Sequence, residues 1–231
     1  DIRAKKIPTL PSRVTFEDVK DSLSGIESIP LGLDKKTLNI ITYNLKKNFM
    51  SIMTAKNIEI VAKYVSYIIE EIKRLEETNI VLFDAEKVIQ TAKSNIKLNY
   101  KNFKLEIENN LKKNKNIICI IIGIDKFIDS IEDDFYEVLQ MAEKLENYNF
   151  IIIDNYSKLK NKEYDDWYKN YFTGDSGIWI GNGVTDQYLI SVDNDGNVIN
   201  NCGNSFGYLI EQEQARMIKL LGMKEKEEEN G

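Results

Sequence analysis

The 231-residue chain contains no histidine, three prolines and two cysteines. Without an imidazole there is no histidine-based triad and no side chain that titrates unaided near neutral pH, and most zinc sites lose their usual ligand. Cys119 and Cys202 have no metal-type spacing, and two unmatched thiols fit a reducing compartment. Cys119 lies inside an apolar run and reads as a small core residue. No stretch approaches the roughly 20 apolar residues of a membrane span. None has the make-up of a signal peptide, and the chain begins on Asp1 rather than Met, which reads as a boundary inside a longer protein. Positive charge is short as well: 31 Lys and Arg stand against 37 Asp and Glu, a net charge of −6. Such a balance offers no field to attract nucleic acid or an anionic membrane, so neither is expected as a partner. The densest basic group, Lys112, Lys113 and Lys115, reads as a solvated helix end.

What is present is ordinary for a globular domain: 42% hydrophobic and 10% aromatic residues. The chain is organised around Phe49 to Leu75. Phe49-Met50-Ser51-Ile52 reads as a buried strand and Met53-Thr54-Ala55-Lys56 as a tight turn. From Asn57 to Leu75, apolar residues at Ile58, Val61, Ala62, Val65, Ile68, Ile69, Ile72 and Leu75 trace one face of a helix. Further apolar runs, Ile80 to Phe83, Ile117 to Ile122 and Phe150 to Ile153, alternate with amphipathic stretches at Phe103 to Lys113, Ile131 to Leu145 and Glu163 to Phe172. Thr37 to Thr42 reads as a strand too, Thr15 to Leu23 as a short helix with Asp18 completing a capping box, and Asp193 to Gly196 as a turn. Continuous rather than alternating apolar runs belong to strands covered on both faces, so the expected fold is α/β with a mainly parallel sheet. One domain over 1–221 is expected, followed by an acidic flexible tail over 222–231.

A strand, a turn and a helix in this order are where a P-loop protein holds a nucleotide. The turn lacks what phosphate binding needs. Met53-Thr54-Ala55-Lys56-Asn57 has no glycine, so backbone amides cannot cheaply turn inward. Lys56 and Thr54 are the vestiges of the motif, but no Ser or Thr follows Lys56 to meet magnesium, and Glu59 occupies the first helical turn where an anion would sit. An ordinary strand-to-helix turn is the simpler reading of these residues. Acids at Asp84, Asp125 and Asp154 follow apolar runs and so point to the carboxyl edge of the sheet, where ligands of open parallel sheets bind.

Lys6-Ile7-Pro8, Ile29-Pro30-Leu31-Gly32-Leu33-Asp34, Gly123-Ile124-Asp125-Lys126-Phe127 and Ile178-Trp179-Ile180-Gly181-Asn182-Gly183 with Asp186-Gln187 together resemble the FtsK/SpoIIIE branch of P-loop motor ATPases. More closely they resemble the last ATPase-like domain of the EssC-type coupling proteins of type VII secretion. The resemblance implies a RecA-like sheet, neighbouring ATPase domains in the same chain, a membrane anchor elsewhere with this domain cytoplasmic, possible homo-oligomers, and WXG100-type secreted proteins and other type VII substrates as partners. Against the family pattern, Asp125 keeps the Walker B acid, and Lys126 replaces the acid that would orient water. A degenerate ATPase with no cofactor or metal is therefore expected, with no catalytic residue and with docking of secreted substrates as its role. A weak ATP-binding motor that uses Mg-ATP through Lys56 and Asp125 is the alternative. Trp179, Tyr188, Asn182 and Gln187 are the docking candidates. For the Trp179 to Gln187 stretch, core packing and nucleotide contact stay open beside docking.

Overall fold

The computed structural model describes residues 9–20, 28–44, 47–74, 78–84, 87–89, 100–110, 116–193 and 198–224. Lys6-Ile7-Pro8, Lys112 to Lys115, the turn at Asn194 to Gly196 and the two ends Leu23 and Leu75 fall outside these residues.

The centre of the chain folds as its periodicity dictates. Strand β3 (Met50–Thr54) runs into helix α2 (Ile58–Ile72). Strands β4 (Thr78–Asp84), β5 (Asn116–Ile122), β6 (Tyr148–Ile153) and β7 (Gly177–Ile180) follow, separated by α3 (Phe103–Asn110), α4 (Ile124–Ser130), α5 (Phe135–Glu143), α6 (Tyr156–Lys160) and α7 (Asp166–Tyr171). Before β3 come α1 (Phe16–Val19), β1 (Ser28–Asp34) and β2 (Ile40–Asn44); after β7 come β8 (Phe206–Glu211) and β9 (Gln214–Leu220).

Among the described residues, all nine strands form one sheet in the order β2-β1-β9-β8-β7-β3-β6-β5-β4. From β7 to β4 every pairing is parallel. From β7 to β2 every pairing is antiparallel. The sheet is thus mixed: a five-stranded parallel block in the order 7-3-6-5-4, extended on one side by hairpins from both ends of the chain. The parallel block reads as continuous apolar sequence because both its faces are covered. On one face Met53, Ile80, Ile118, Ile120, Ile151 and Ile178 pack with Val61, Val65, Ile68 and Ile69 of α2. On the other, Ile52, Val81, Cys119, Ile121, Phe150 and Trp179 pack with Phe103, Phe127, Phe135, Leu139 and Trp167. Each such aliphatic side chain contributes about 1.5–3 kcal/mol on burial.

Several boundaries differ from the sequence reading: Met53 and Thr54, expected in the turn, complete β3, the strand expected over Thr37 to Thr42 is Ile40–Asn44, and the helix expected over Ile131 to Leu145 is Phe135–Glu143. Gly123-Ile124-Asp125 reads in the sequence as the close of the Ile117 to Ile122 run, but Ile124 and Asp125 open helix α4, because Gly123 at φ 85° turns the chain off β5. The tail does not begin at Gly222. The Gly222 amide donates to Val14 O at 2.9 Å, Arg13 Nε donates to Gly222 O at 3.0 Å, and Met223 is buried at 3% exposure. Truncation after Lys224 is therefore expected to leave the melting temperature within about 2 °C, whereas truncation after Leu221 removes a buried side chain and should cost about 2 kcal/mol or more, read as a drop of roughly 4–8 °C. Thermal unfolding followed by circular dichroism checks both.

Candidate functional site

The parallel block starts at β3 in its interior. Its chain crosses from β3 to the far strand β4, steps back through β5 and β6, and then passes over β3 to β7. The direction of travel reverses beside β3, which makes the carboxyl ends of β3 and β6 the topological switch point, where ligands of this architecture sit.

The β3 end is occupied by the protein's own groups. Asn57 is the N-cap of α2, and its side-chain oxygen accepts from the Glu59 amide at 2.9 Å. An anion at this helix start would have to displace the cap and face the Glu59 carboxylate. Thr54 is fully buried, and its hydroxyl donates to Asp154 O at 2.7 Å. It ties β3 to β6 and is not presented to a ligand. Lys56 Nζ lies 2.6 Å from Asp186 Oδ2, on the loop after β7. The other Asp186 oxygen accepts from Asn200 Nδ2 at 2.9 Å. Hydrogen bonds from Lys56 and Asn200 hold the Asp186 carboxyl below the usual carboxylate range. Gly183, at φ 88°, lies under the Lys56 stem; a β-carbon there would overlap Lys56 Cε and Nζ. The partner of Lys56 is thus a carboxylate of the chain itself.

The three acids separate. Asp84 ends β4 and accepts the amides of Val88 (3.1 Å) and Ile89 (2.8 Å). Asp154 follows β6, is 3% exposed, and accepts from the amides of Ile124 at 3.1 Å and Asn155 at 2.8 Å, with Lys158 Nζ at 3.7 Å. It braces the start of α4 against β6. Asp125 does not end a strand: it stands exposed in the first turn of α4, beside the equally exposed Lys126, and pairs with Lys162. That hydrogen bond to Asp125 raises the Lys162 pKa. The Walker B reading of Asp125 and Lys126 is corrected accordingly, since the strand has already closed at Ile122.

The docking candidates also divide. Trp179 is fully buried: its ring packs at a tilt against Tyr156, ring centroids 5.8 Å apart, and its indole N–H donates to Asn182 O at 3.1 Å. It has no surface to give a partner, which corrects its assignment as an anchor. Gln187, 6% exposed, is likewise an internal brace. Its amide nitrogen donates to Val184 O (3.1 Å) and Ile190 O (2.6 Å), and its oxygen accepts from the amides of Leu189 (2.6 Å) and Ile190 (2.8 Å). Asn182 is exposed, and its side-chain oxygen accepts from the Gly203 amide at 2.7 Å. Tyr188 alone of the four presents a large side chain, 88% exposed, on a loop that Gln187 fixes from below. Val184, Ile190 and Val192 line a cavity of about 280 Å³ at its foot. A second cavity, of about 250 Å³, lies at the opposite, amino edge of the block against Phe49, Tyr171 and Glu211. Sequence reasoning missed Asp186 as the partner of Lys56 and Asn200 as its support; Asp186 stood in the quoted motif, but nothing local tied it to Lys56.

Among the described residues no group of three His, Cys, Asp or Glu side chains could hold a metal ion, and no helix is long and apolar enough to cross a membrane.

No protein-family model and no curated protein matches this sequence. Solved structures do match its fold. The cytoplasmic domain of EssC aligns over 94% of this chain with a TM-score of 0.72 at 13% identity. EssC ATPases 2 and 3 from Geobacillus thermodenitrificans align over 94% with a TM-score of 0.68 at 14% identity. ATPases 2 and 3 of Thermomonospora curvata EccC, solved in complex with a signal sequence peptide, align over 96% with a TM-score of 0.67 at 12% identity. The chain spans about half the length of these structures: 47%, 46% and 45%.

The fold is therefore that of the EssC and EccC ATPase domains, a parallel block flanked by helices within a mixed sheet.

Proposed function

We propose that this chain is an ATPase-fold domain of a type VII secretion coupling protein that has given up nucleotide chemistry and acts by docking secreted proteins. The observation that carries the reading is the Lys56–Asp186 pair beside the Asn57 cap: the phosphate position at the switch point is filled by a carboxylate and a side-chain cap of the chain itself. The likeness to multi-domain secretion ATPases, one of them bound to a signal peptide, supports placing it in that system. In this reading the partners are WXG100-type helical hairpins and other type VII substrates, along with neighbouring ATPase domains of a longer, membrane-anchored chain whose cytoplasmic side carries this domain. Docking needs no nucleotide. Tyr188 is the anchor, because an exposed aromatic on a braced loop meets a partner at little entropic cost.

Three measurements test this. Mg-ATP at millimolar concentration should leave the melting temperature unchanged, and steady-state turnover should be absent. Lys126→Glu should not create it, since an acid in the first turn of α4 cannot orient water on a nucleotide that nothing holds. Turnover near about 1 s⁻¹ in either protein would overturn the degenerate reading. Calorimetry against WXG100-type proteins should then show binding with and without Mg-ATP, weakened about 30-fold by Tyr188→Ala, the equivalent of about 2 kcal/mol. Binding only in the presence of ATP, or full affinity in the Tyr188 variant, would refute the corresponding part.

A further inference from the structure

The cavity at the amino edge of the parallel block is a gap in the sheet. β7 pairs with β3 only at Met53 and Thr54, so the first residues of β3 have no strand beside them on that side. Phe49 O accepts from the Phe150 amide at 2.8 Å. In a parallel ladder both backbone groups of one residue face one neighbour, and those of the next residue face the other. Phe49, Ser51 and Met53 therefore bond to β6, and the Met50 amide and carbonyl turn into the gap. Tyr43 near the end of β2, with Leu209 and Glu211 at the end of β8, stands on its wall. Phe49, Tyr171 and Phe172 form its aromatic side, the Phe49 and Tyr171 ring centroids 5.3 Å apart.

Several polar groups on this wall have no partner. Tyr43 is 6% exposed, and its hydroxyl is buried without a hydrogen bond. Ser51, 8% exposed and also on the wall, makes no side-chain hydrogen bond among the described residues. Lys47 stands exposed at the rim, with no ion pair among the described residues. A buried hydroxyl without a partner is costly to keep, and the fold itself supplies none here. The nearby carboxylates are already engaged. Glu211 Oε2 lies 2.7 Å from Arg216, Asp175 accepts from Thr173 and Ser176, and Glu143 accepts from the Tyr171 hydroxyl. Burial first, and Glu211 second, push the Tyr43 phenol well above its ordinary pKa, so it stays a neutral donor. The groups left over are thus four donors, the two hydroxyls, the Met50 amide and the Lys47 ammonium, against one open acceptor, the Met50 carbonyl.

We infer that this cavity binds a small aromatic carboxylate. The carboxylate accepts from Tyr43 and Ser51 and faces the charge of Lys47, and such charge-assisted bonds are the strong kind. Its ring lies against Phe49, Tyr171 and Phe172. At about 250 Å³ the space falls below the roughly 300–1,000 Å³ of sites for drug-sized ligands, which limits the acid to about ten non-hydrogen atoms. The site lies at the edge opposite the switch point and is independent of the docking role proposed above.

Titration with 3-phenylpropionate, read by calorimetry and ligand-observed NMR, tests it. The acid should bind with a Kd of about 1 mM or tighter. The matching amide, without the charge, and 3-phenylpropylamine, with the opposite charge, should each bind at least about tenfold more weakly. Tyr43→Phe keeps the ring and should cost about tenfold in affinity. Its melting temperature should be unchanged or higher, since the hydroxyl has no partner to lose. Lys47→Gln should weaken binding about threefold and remove most of its salt dependence. No binding at about 10 mM acid, equal affinity for acid and amide, or full affinity in the Tyr43 variant overturns the site. Preference for the amine would make Glu211 the recognising group and overturns it too. An acetylated peptide ending in phenylalanine that binds where the free acid does not would likewise refute a site for small acids.

Discussion

Replacing Trp179 with alanine is expected to destabilise the domain by about 3–5 kcal/mol, the cost of deleting a large buried ring whose site cannot collapse. For a chain of this size that lowers the melting temperature by roughly 10 °C or more. The position explains the magnitude. Trp179 is paired with Thr54 of β3 on one side and Tyr208 of β8 on the other, where the parallel block turns into the antiparallel extension. Its loss removes contacts to both halves and leaves the Asn182 carbonyl without its indole donor. Trp179→Phe should recover part of the loss, since it refills most of the volume but not the hydrogen bond. A melting temperature within about 3 °C of the parent, with partner binding abolished, would mean that the ring is presented to partners after all.

Gln187 and Tyr188 are adjacent, and their alanine variants are expected to behave in opposite ways. Gln187→Ala deprives two amides and two carbonyls of a buried partner. At about 0.5–1.5 kcal/mol for each bond, and more where a group is left unsatisfied, the cost should be about 2–4 kcal/mol. Amide exchange at Leu189 and Ile190 should accelerate more than in the parallel strands, because the loop opens before the core does. Gln187→Glu should not rescue it: the carboxylate keeps both acceptor roles but has no donor for Val184 O and Ile190 O. Tyr188→Ala, by contrast, should fall within about 0.5 kcal/mol of the parent in urea unfolding. If Tyr188→Ala proved the more destabilising of the two, the ring would be packed and its role as a partner's anchor would fall.

The parallel block was legible because local pattern and final environment agree. A 3.6-residue period gave α2, though Asn57, read as its first residue, is its N-cap, and uninterrupted β-branched runs gave β4, β5 and β6. The antiparallel extension was less so. Ile29 to Leu33 and Phe206 to Leu221 are apolar enough to be strands, but the pairings β1 with β9 and β9 with β8 are decided by partners far away in sequence. Helix α4 was hidden because Ile124 continues the isoleucine run of β5, and only the positive φ of Gly123 marks the end. At the switch point the missing glycines of the β3 turn were visible, since the geometry of a phosphate cradle is local. The carboxylate that pairs with Lys56 was not, because Lys56 and Asp186 are 130 residues apart. Trp179 and Tyr188 look equally suited to a surface from sequence; one is fully buried and the other 88% exposed, a difference set by sheet pairing rather than by residue type.

The antiparallel extension also imposes an order of assembly during synthesis. β1 and β2 are among the first strands to be made, yet the strand that joins them to the rest of the sheet is β9, with Gly32 paired to Leu220. At roughly 5–20 residues per second, the first hairpin spends on the order of 10–40 s without its partner. Closing so long a loop is slow, since its entropy must be lost before any contact rewards it. The parallel block from β3 to β7 can pack in that interval, whereas the hairpin waits as a two-stranded ribbon, marginal by itself in water. The last residues of the sheet, Ile218 to Leu221, thus act as the clasp of the nascent domain, and a chain released before Leu220 would have a finished nucleotide-fold core and an unanchored amino end.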